Sequence, residues 1–272
     1  MTLLDEAALR HALARHGATL GTPLTLLAQT GSTSDDARQA AARGAPQGAT
    51  FLADEQTSGR GRGGHRWHSP PGENLYLSVV LRPRVPPTAA APISLVCGLA
   101  VATLVERALA PREDTAAHVA VKWPNDVLVN GRKIAGILVE GQIRGDTLQS
   151  LVVGIGLNVS AQRFPDELAA RATSLALLGA QRSREELAAE LLALLGHSVD
   201  RFAREGLRAF ADELAQRDWL RGRNVAIGDL SGTACGIDTE GHLLIRRDTG
   251  EVRAIAAGEV SVRYDGRLDP SS

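Results

Sequence analysis

The chain has 272 residues, 44% of them hydrophobic, with a formal net charge of −1. That length supports one large domain, or one large and one small, and a near-neutral balance excludes an overall basic field for holding nucleic acid. Its two cysteines, Cys97 and Cys235, are far apart, with no C-x-x-C and no histidine at ligand spacing, which argues against a zinc knuckle or a disulfide framework and fits a reducing cytoplasm.

Residues 3–16 place leucine and alanine at helical spacing and stop at Gly17. Acids and arginines run through this segment, so it reads as an amphipathic helix and not as an export signal. A strand over residues 24–29 leads into Ser32, Thr33 and Ser34, hydroxyls suited to cap a helix that carries Asp35 and Asp36 in its first turn and ends at Gly44. Two further strands, residues 49–56 and 74–83, flank a loop rich in glycine and arginine. Residues 88–105 are uncharged but alanine-rich and interrupted by Pro92 and Gly98, which predicts a buried helix and no membrane span. Beyond it lie a strand, a Pro-Asn-Asp turn, a hairpin at Asn130-Gly131, and two strands joined through residues 144–147. Residues 165–217 read as helical, with a Ser183-x-x-Glu186 capping box, and from Arg221 to Tyr264 short strands between glycine turns predict a small barrel.

The loop "GRGRGGHRWHSPPGENLYLS" contains G-x-G-x-x-G at Gly59, Gly61 and Gly64. A dinucleotide site needs a helix after the third glycine and an acid about 20 residues later. Here Pro70 and Pro71 forbid the helix, and the residue 20 beyond Gly64 is Arg84, so the match is accidental. What remains is a flexible backbone bearing Arg60 and Arg62, donor forks suited to phosphate or carboxylate. Of 30 basic residues only Lys122 and Lys133 are lysines, both in "VKWPNDVLVNGRKIAGILVE". A chain that uses arginine everywhere else keeps a compact ammonium twice in one segment, and the two groups are not interchangeable. Asn125 and Asp126 between them can hold or orient Mg²⁺ through water, although ordinary turn chemistry also accounts for them.

In that order, "GRGRGGHRWHSPPGENLYLS", "KWPND", "GRKIAGILVE" and "GIGLNV", followed by a small barrel, closely resemble the biotin protein ligases over residues 29–264. The resemblance implies an α+β fold related to class II aminoacyl-tRNA synthetases, with a mixed sheet and helices over residues 1–220 and an SH3-like C-terminal barrel over 221–268. It implies ATP-dependent activation of biotin to biotinyl-AMP, with Mg²⁺, and transfer to a lysine of a biotin carboxyl carrier protein of acetyl-CoA carboxylase or a related carboxylase. Carried over residue by residue, Ser32, Thr33 and Gln56 hold the ureido ring; Gly59, Arg60, Arg62, Gly136 and Ile137 complete the biotin site. Lys133 touches both the biotin carboxyl and the α-phosphate. Trp67, Lys122, Asn125 and Asn158 join Arg62 and Lys133 at ATP, Asn125 and Asp126 stand by the metal, and Lys133, Arg62, Lys122 and Asp126 carry the catalysis.

Three positions depart from the pattern: His65 where arginine is usual, Gly63 where a larger residue is common, and Ser34 in place of a frequent asparagine. Only 31 residues precede Ser32, too few for the repressor domain of some relatives, so neither operator binding nor membrane attachment is expected. A homodimer through the sheets is an open expectation. The rivals are a lipoate-type ligase, disfavoured by the G-R-G-R and K-W-P-N-D motifs, and a non-catalytic biotin sensor, disfavoured by the lysine pair.

Overall fold

Apolar runs of four to thirteen residues set the layout, and in the computed structural model, which describes residues 3–87, 90–109, 117–264 and 267–268, seven of them pair into one sheet. The strands are β1 (Leu24–Leu27), β2 (Thr50–Ala53), β3 (Leu75–Leu81), β4 (Val119–Lys122), β5 (Asp126–Val129), β6 (Arg132–Arg144) and β7 (Thr147–Leu157). Their order is β1-β2-β3-β7-β6-β5-β4, with β1 and β2 parallel and the other pairs antiparallel. Every side chain of β3 is buried, so both faces must be covered. On one face lie α1 (Glu6–Arg15), α3 (Ile93–Leu109) and α5 (Arg184–Glu205), packed together over the main apolar core. On the other, α2 (Thr33–Ala42) presents Ala37 and Ala41 to Val80 and Val152. Small residues on α2 let the helix lie close to the sheet.

Local signals hold where local physics decides. Asn130 and Gly131 take φ of +50° and +81°, the geometry of a two-residue hairpin turn, and join β5 to β6. Ser183 Oγ accepts the Glu186 amide at 3.1 Å at the start of α5. The carboxylate of Glu186 instead reaches His16 at 3.3 Å and Arg15, so the box is half made and ties α5 to α1.

Three expectations change. The buried apolar helix begins at Ile93, and residues 88 and 89 of the expected span lie outside the described residues. The helical reading of 165–217 holds for α4 (Asp166–Ala169), α5 and α6 (Ala211–Arg217), but residues 171–183 are irregular. Their backbone is taken up by β6: the Lys133 amide donates to Arg171 O at 2.7 Å and the Thr173 amide to Lys133 O at 2.9 Å. The C-terminal module is made of short strands, as expected, and they pair antiparallel: β8 (Asn224–Ile227), β9 (Leu230–Ile237), β10 (Leu243–Arg246), β11 (Val252–Ile255), β12 (Ser261–Tyr264) and β13 (Arg267–Leu268). Among the described residues it stays an open sheet ordered β11-β10-β9-β8-β12-β13, because its two end strands pair on one side only. Val225, Leu243 and Ile245 of this module share one apolar core with the main domain.

Burial of Cys97 in α3 pushes its thiol up to about 12, which keeps it protonated and inert. Among the described residues no helix is long and apolar enough to cross a membrane.

Candidate active site

The hydroxyls at the start of α2 are turned away from capping. Ser32 is the N-cap residue but its side chain makes no cap bond. Thr33 and Ser34 instead meet Ser78 Oγ on β3 at 2.8 and 3.1 Å. Gln56 Oε1 accepts from the Thr33 amide and hydroxyl at 3.0 and 3.1 Å, while Gln56 Nε2 donates to Ser69 Oγ at 2.9 Å. These groups form the polar end of a pocket whose walls include Gly136, Ile137 and Lys133 of β6 and Gly154 and Gly156 of β7. Glycine is required there: a Cβ on Gly154 would lie 2.4 Å from Ser34 Oγ, and one on Gly156 would lie 2.3 Å from the Trp67 ring. The Trp67 indole fills the pocket's outer part and leaves about 40 Å³. Its Nε1 is buried without a hydrogen-bond partner, so the indole is held by packing and by the Lys133 ammonium over its ring, and not by a hydrogen bond.

Trp67 belongs to a lid. Residues 59–67 fold back on themselves, with Trp67 N donating to Gly59 O at 2.9 Å and Gly61 N to His65 O at 2.7 Å. Gly63 and Gly64, at φ of +67° and +83°, turn the tip, and a larger residue at 63 would be strained there. Arg60 forks onto Glu140, at 2.7 and 3.1 Å, and onto Asp35 at 2.7 Å. Burial works against that guanidinium's charge, but the bonds and field of Glu140 and Asp35 outweigh it and raise its pKa. Arg62 Nη1 donates to Gly258 O at 2.7 Å, and His65 Nε2 lies 2.7 Å from Glu259 Oε1. The unusual His65 therefore faces the C-terminal module. Gly59 is buried at the lid stem, where a Cβ would lie 2.6 Å from Ser69 Oγ and the Trp67 carbonyl and 3.0 Å from Gln56 Nε2.

On the other side of Trp67 opens a cavity of about 600 Å³, a volume suited to a nucleotide-sized molecule. It is lined by the cations Arg66, Lys122, Arg132, Lys133 and Arg171, with Asp126 as the one acid in its wall among the described residues. Lys122 and Asp126 face each other across the β4–β5 hairpin, and Lys133 Nζ lies 2.7 Å from Asp126 Oδ1 and 5.4 Å from the Trp67 ring centre. Asn158 is in this wall, its Nδ2 fixed by Thr173 O at 2.9 Å. Asn125, by contrast, faces the smaller pocket. Its backbone oxygen accepts the Ile137 amide and its Nδ2 donates to Ile137 O, both at 2.9 Å. Trp123 anchors the same turn by donating to Gly241 O at 2.9 Å. Two residues, Trp67 and Lys133, line both spaces.

Residues 28–158 match the Biotin/lipoate A/B protein ligase family, and residues 222–263 match the Biotin protein ligase C terminal domain. The biotin–[acetyl-CoA-carboxylase] ligase of Mycobacterium tuberculosis is 36% identical over 273 residues, covering 94% of this chain and 95% of that protein. The chain belongs to the biotin protein ligase family. The biotin–[acetyl-CoA-carboxylase] ligase of Paracoccus denitrificans is 35% identical over 98% of its length. The biotin protein ligase from Aquifex aeolicus, solved in complex with biotin and ATP, superposes with a TM-score of 0.73 at 29% identity, covering 88% of this chain and 99% of that one.

The sequence pointed to most of the wall but missed its supports. Ser78 and Arg171 carry no local signal, since each is an isolated residue in an ordinary stretch. Glu140 closes the "GILVE" run and Asp35 opens α2, and both were legible only as a strand end and a helix-dipole acid. Trp219, whose ring lies over Gly131 and stacks on Arg223 at 4.0 Å, closes the large cavity from the inter-domain side.

Proposed function

We propose that this chain is a biotin–[biotin carboxyl-carrier protein] ligase that joins biotin to ATP in its two adjoining pockets. A biotin carboxylate oxygen attacks the α-phosphorus, the bond to pyrophosphate breaks, and biotinyl-AMP forms. The amine of a carrier lysine then attacks the acyl carbon, AMP leaves, and the amine's proton passes to solvent. The observation that carries the reading is Lys133, which lines both pockets and stands where the two reactants must meet.

Ser32, Thr33 and Gln56 offer the donors and acceptors a ureido ring needs, and Gly136, Ile137 and Gly156 give its tail a backbone wall. Lys133 and Arg62 neutralise the two anions as they approach, which is electrostatic preorganisation aimed at the transferring phosphoryl group. Lys122, with Asn158 fixed beside it, serves the nucleotide. For Mg²⁺ the donor set is spare: Asp126 shares one oxygen with Lys133, and no cluster of three or more metal-ligating side chains occurs among the described residues. That suits an ion carried in by the triphosphate and held through water by Asp126; Asn125, the other expected metal residue, faces the smaller pocket and is bonded to Ile137 O, so it does not join Asp126 there. Bound there, the ion would supply charge neutralisation at the phosphates. We assign residues 1–220 to the catalytic domain and 221–268 to the C-terminal module. The carrier protein is the proposed partner, the cytoplasm the proposed location, and a homodimer through the sheet edge the proposed assembly.

Biotin-dependent exchange of labelled pyrophosphate into ATP is the direct test. Exchange with biotin and none with lipoate is the expected result. Biotin binding without exchange would point to a sensor, and exchange driven by lipoate to the neighbouring activity.

A further inference from the structure

Besides the Trp67 ring on β6 and β7 and the bond from Arg66 Nη2 to Thr57 O at 2.9 Å, the lid reaches the catalytic domain through Arg60, and that tie has a built-in means of release. Arg60 leaves the lid stem, passes the mouth of the smaller pocket and forks onto Glu140 while also reaching Asp35. Asp35 belongs to the first turn of α2, next to Thr33 in that pocket's polar end. Glu140 lies on β6, four residues beyond Gly136. Neither acid lines the two main pockets. Arg38, one turn along α2, also bonds Asp35, at 2.8 Å, and stands 4.0 Å from Glu140 Oε1. Two acids therefore share two arginines, one on the lid stem and one on helix α2.

The exposures matter for what such a network can do. The side chains of Arg60, Asp35 and Glu140 are 34%, 35% and 22% exposed, and that of Arg38 is 46% exposed. Water therefore reaches every member, and breaking the lid's contacts costs far less than breaking a buried pair. When Arg60 leaves, Arg38 stays bonded to Asp35 and 4.0 Å from Glu140, so the two carboxylates keep one cation between them and water, which reaches both, takes up the rest.

We propose that Asp35 and Glu140 are positioning residues that latch the lid through Arg60, and that Arg38 competes with Arg60 to keep the latch reversible. The function of the latch rests on the ligase reading above: it keeps Trp67 between the two pockets and slows escape of biotinyl-AMP into water, where the anhydride hydrolyses. The existence of the latch does not depend on that reading.

The test uses the full chain and two readouts. Without ligands, trypsin cleavage after Arg62 and Arg66 reports lid opening. Glu140→Gln is expected to speed that cleavage roughly fivefold, the size expected for one forked arginine–carboxylate pair at a half-exposed site, and Asp35→Asn with Glu140→Gln more so. Arg38→Ala is expected to slow it, because Arg60 then has the acids to itself. With biotin and ATP, release of labelled biotinyl-AMP should change in the same order while the melting temperature stays near the parent's. Cleavage of the Glu140 variants at the parent rate would overturn the latch, and so would faster cleavage in Arg38→Ala, since the acids would then be serving helix α2 and not the lid. If the parent makes no adenylate, the ligase reading fails while the cleavage result still decides the latch.

Discussion

Lys133→Arg is expected to reduce formation of biotinyl-AMP by roughly a hundredfold or more, although it conserves charge, as is typical when a group stabilising a transferring centre is displaced. The space around the ammonium is the reason. Nζ sits 2.7 Å from Asp126 Oδ1 and 5.4 Å from the Trp67 ring centre. A Cβ on Gly136 would already come within 3.3 and 3.4 Å of its Cε and Nζ. A guanidinium is longer and planar, and would pair side-on with Asp126 while pushing Trp67 off the β-sheet. The point charge at the meeting of the two pockets would then become a diffuse one displaced toward the acid. Single-turnover formation of labelled adenylate measures the loss, with thermal unfolding as the control for fold. A rate within fivefold of the parent would show that any cation suffices there, and the argument from the chain's two lysines would be wrong.

Arg184→Ala is expected to destabilise the protein by about 3–5 kcal/mol, the cost of breaking one side of a buried ion pair. Arg184 opens α5 and its Nη2 lies 2.7 Å from Asp54 Oδ1, with the side chains only 8% and 6% exposed. Asp54 otherwise accepts from the Leu4 amide at 3.2 and 3.3 Å, so truncating the arginine leaves a buried carboxylate with one weak partner among the described residues. Asp54 follows β2 directly and stands two residues before Gln56, so the loss should also loosen the polar end of the smaller pocket. Urea unfolding gives the magnitude. Replacing both members, as Arg184→Met with Asp54→Leu, should recover much of the loss, since an apolar pair of similar size avoids the stranded charge. A loss below about 1 kcal/mol in Arg184→Ala would mean that water already reaches the pair.

Much of this protein was decided by neighbours in sequence. The hairpin at Asn130-Gly131 follows from two residues that tolerate positive φ. The Ser183 cap follows from one hydroxyl within reach of an amide three residues away. The lid sequence and the lysine pair were legible because residue type alone states their chemistry: glycine for a hinge, arginine for a fork, ammonium for a compact charge. The strand runs of the C-terminal module were legible too, whereas their failure to close was not, because closure depends on how the end strands are aimed.

What only the tertiary structure decided is which of these groups meet. The order β3-β7-β6 in the sheet sets Ser78 beside Gly154 and Gly156 beside Gly136, so three distant segments make one pocket wall. Ser32, Thr33 and Ser34 carry the sequence signature of a helix cap, yet Ser78 and Gln56 supply the Thr33 and Ser34 hydroxyls with better partners from across the fold. The helical pattern after Pro165 gives way where β6 takes up the backbone of residues 171–173. Arg60 finds Glu140, and Arg62 finds Gly258, across 80 and 196 residues. Propensity and capping act within a few residues, while hydrogen bonds across a sheet or between domains are chosen by strand order and register, and no local pattern encodes those.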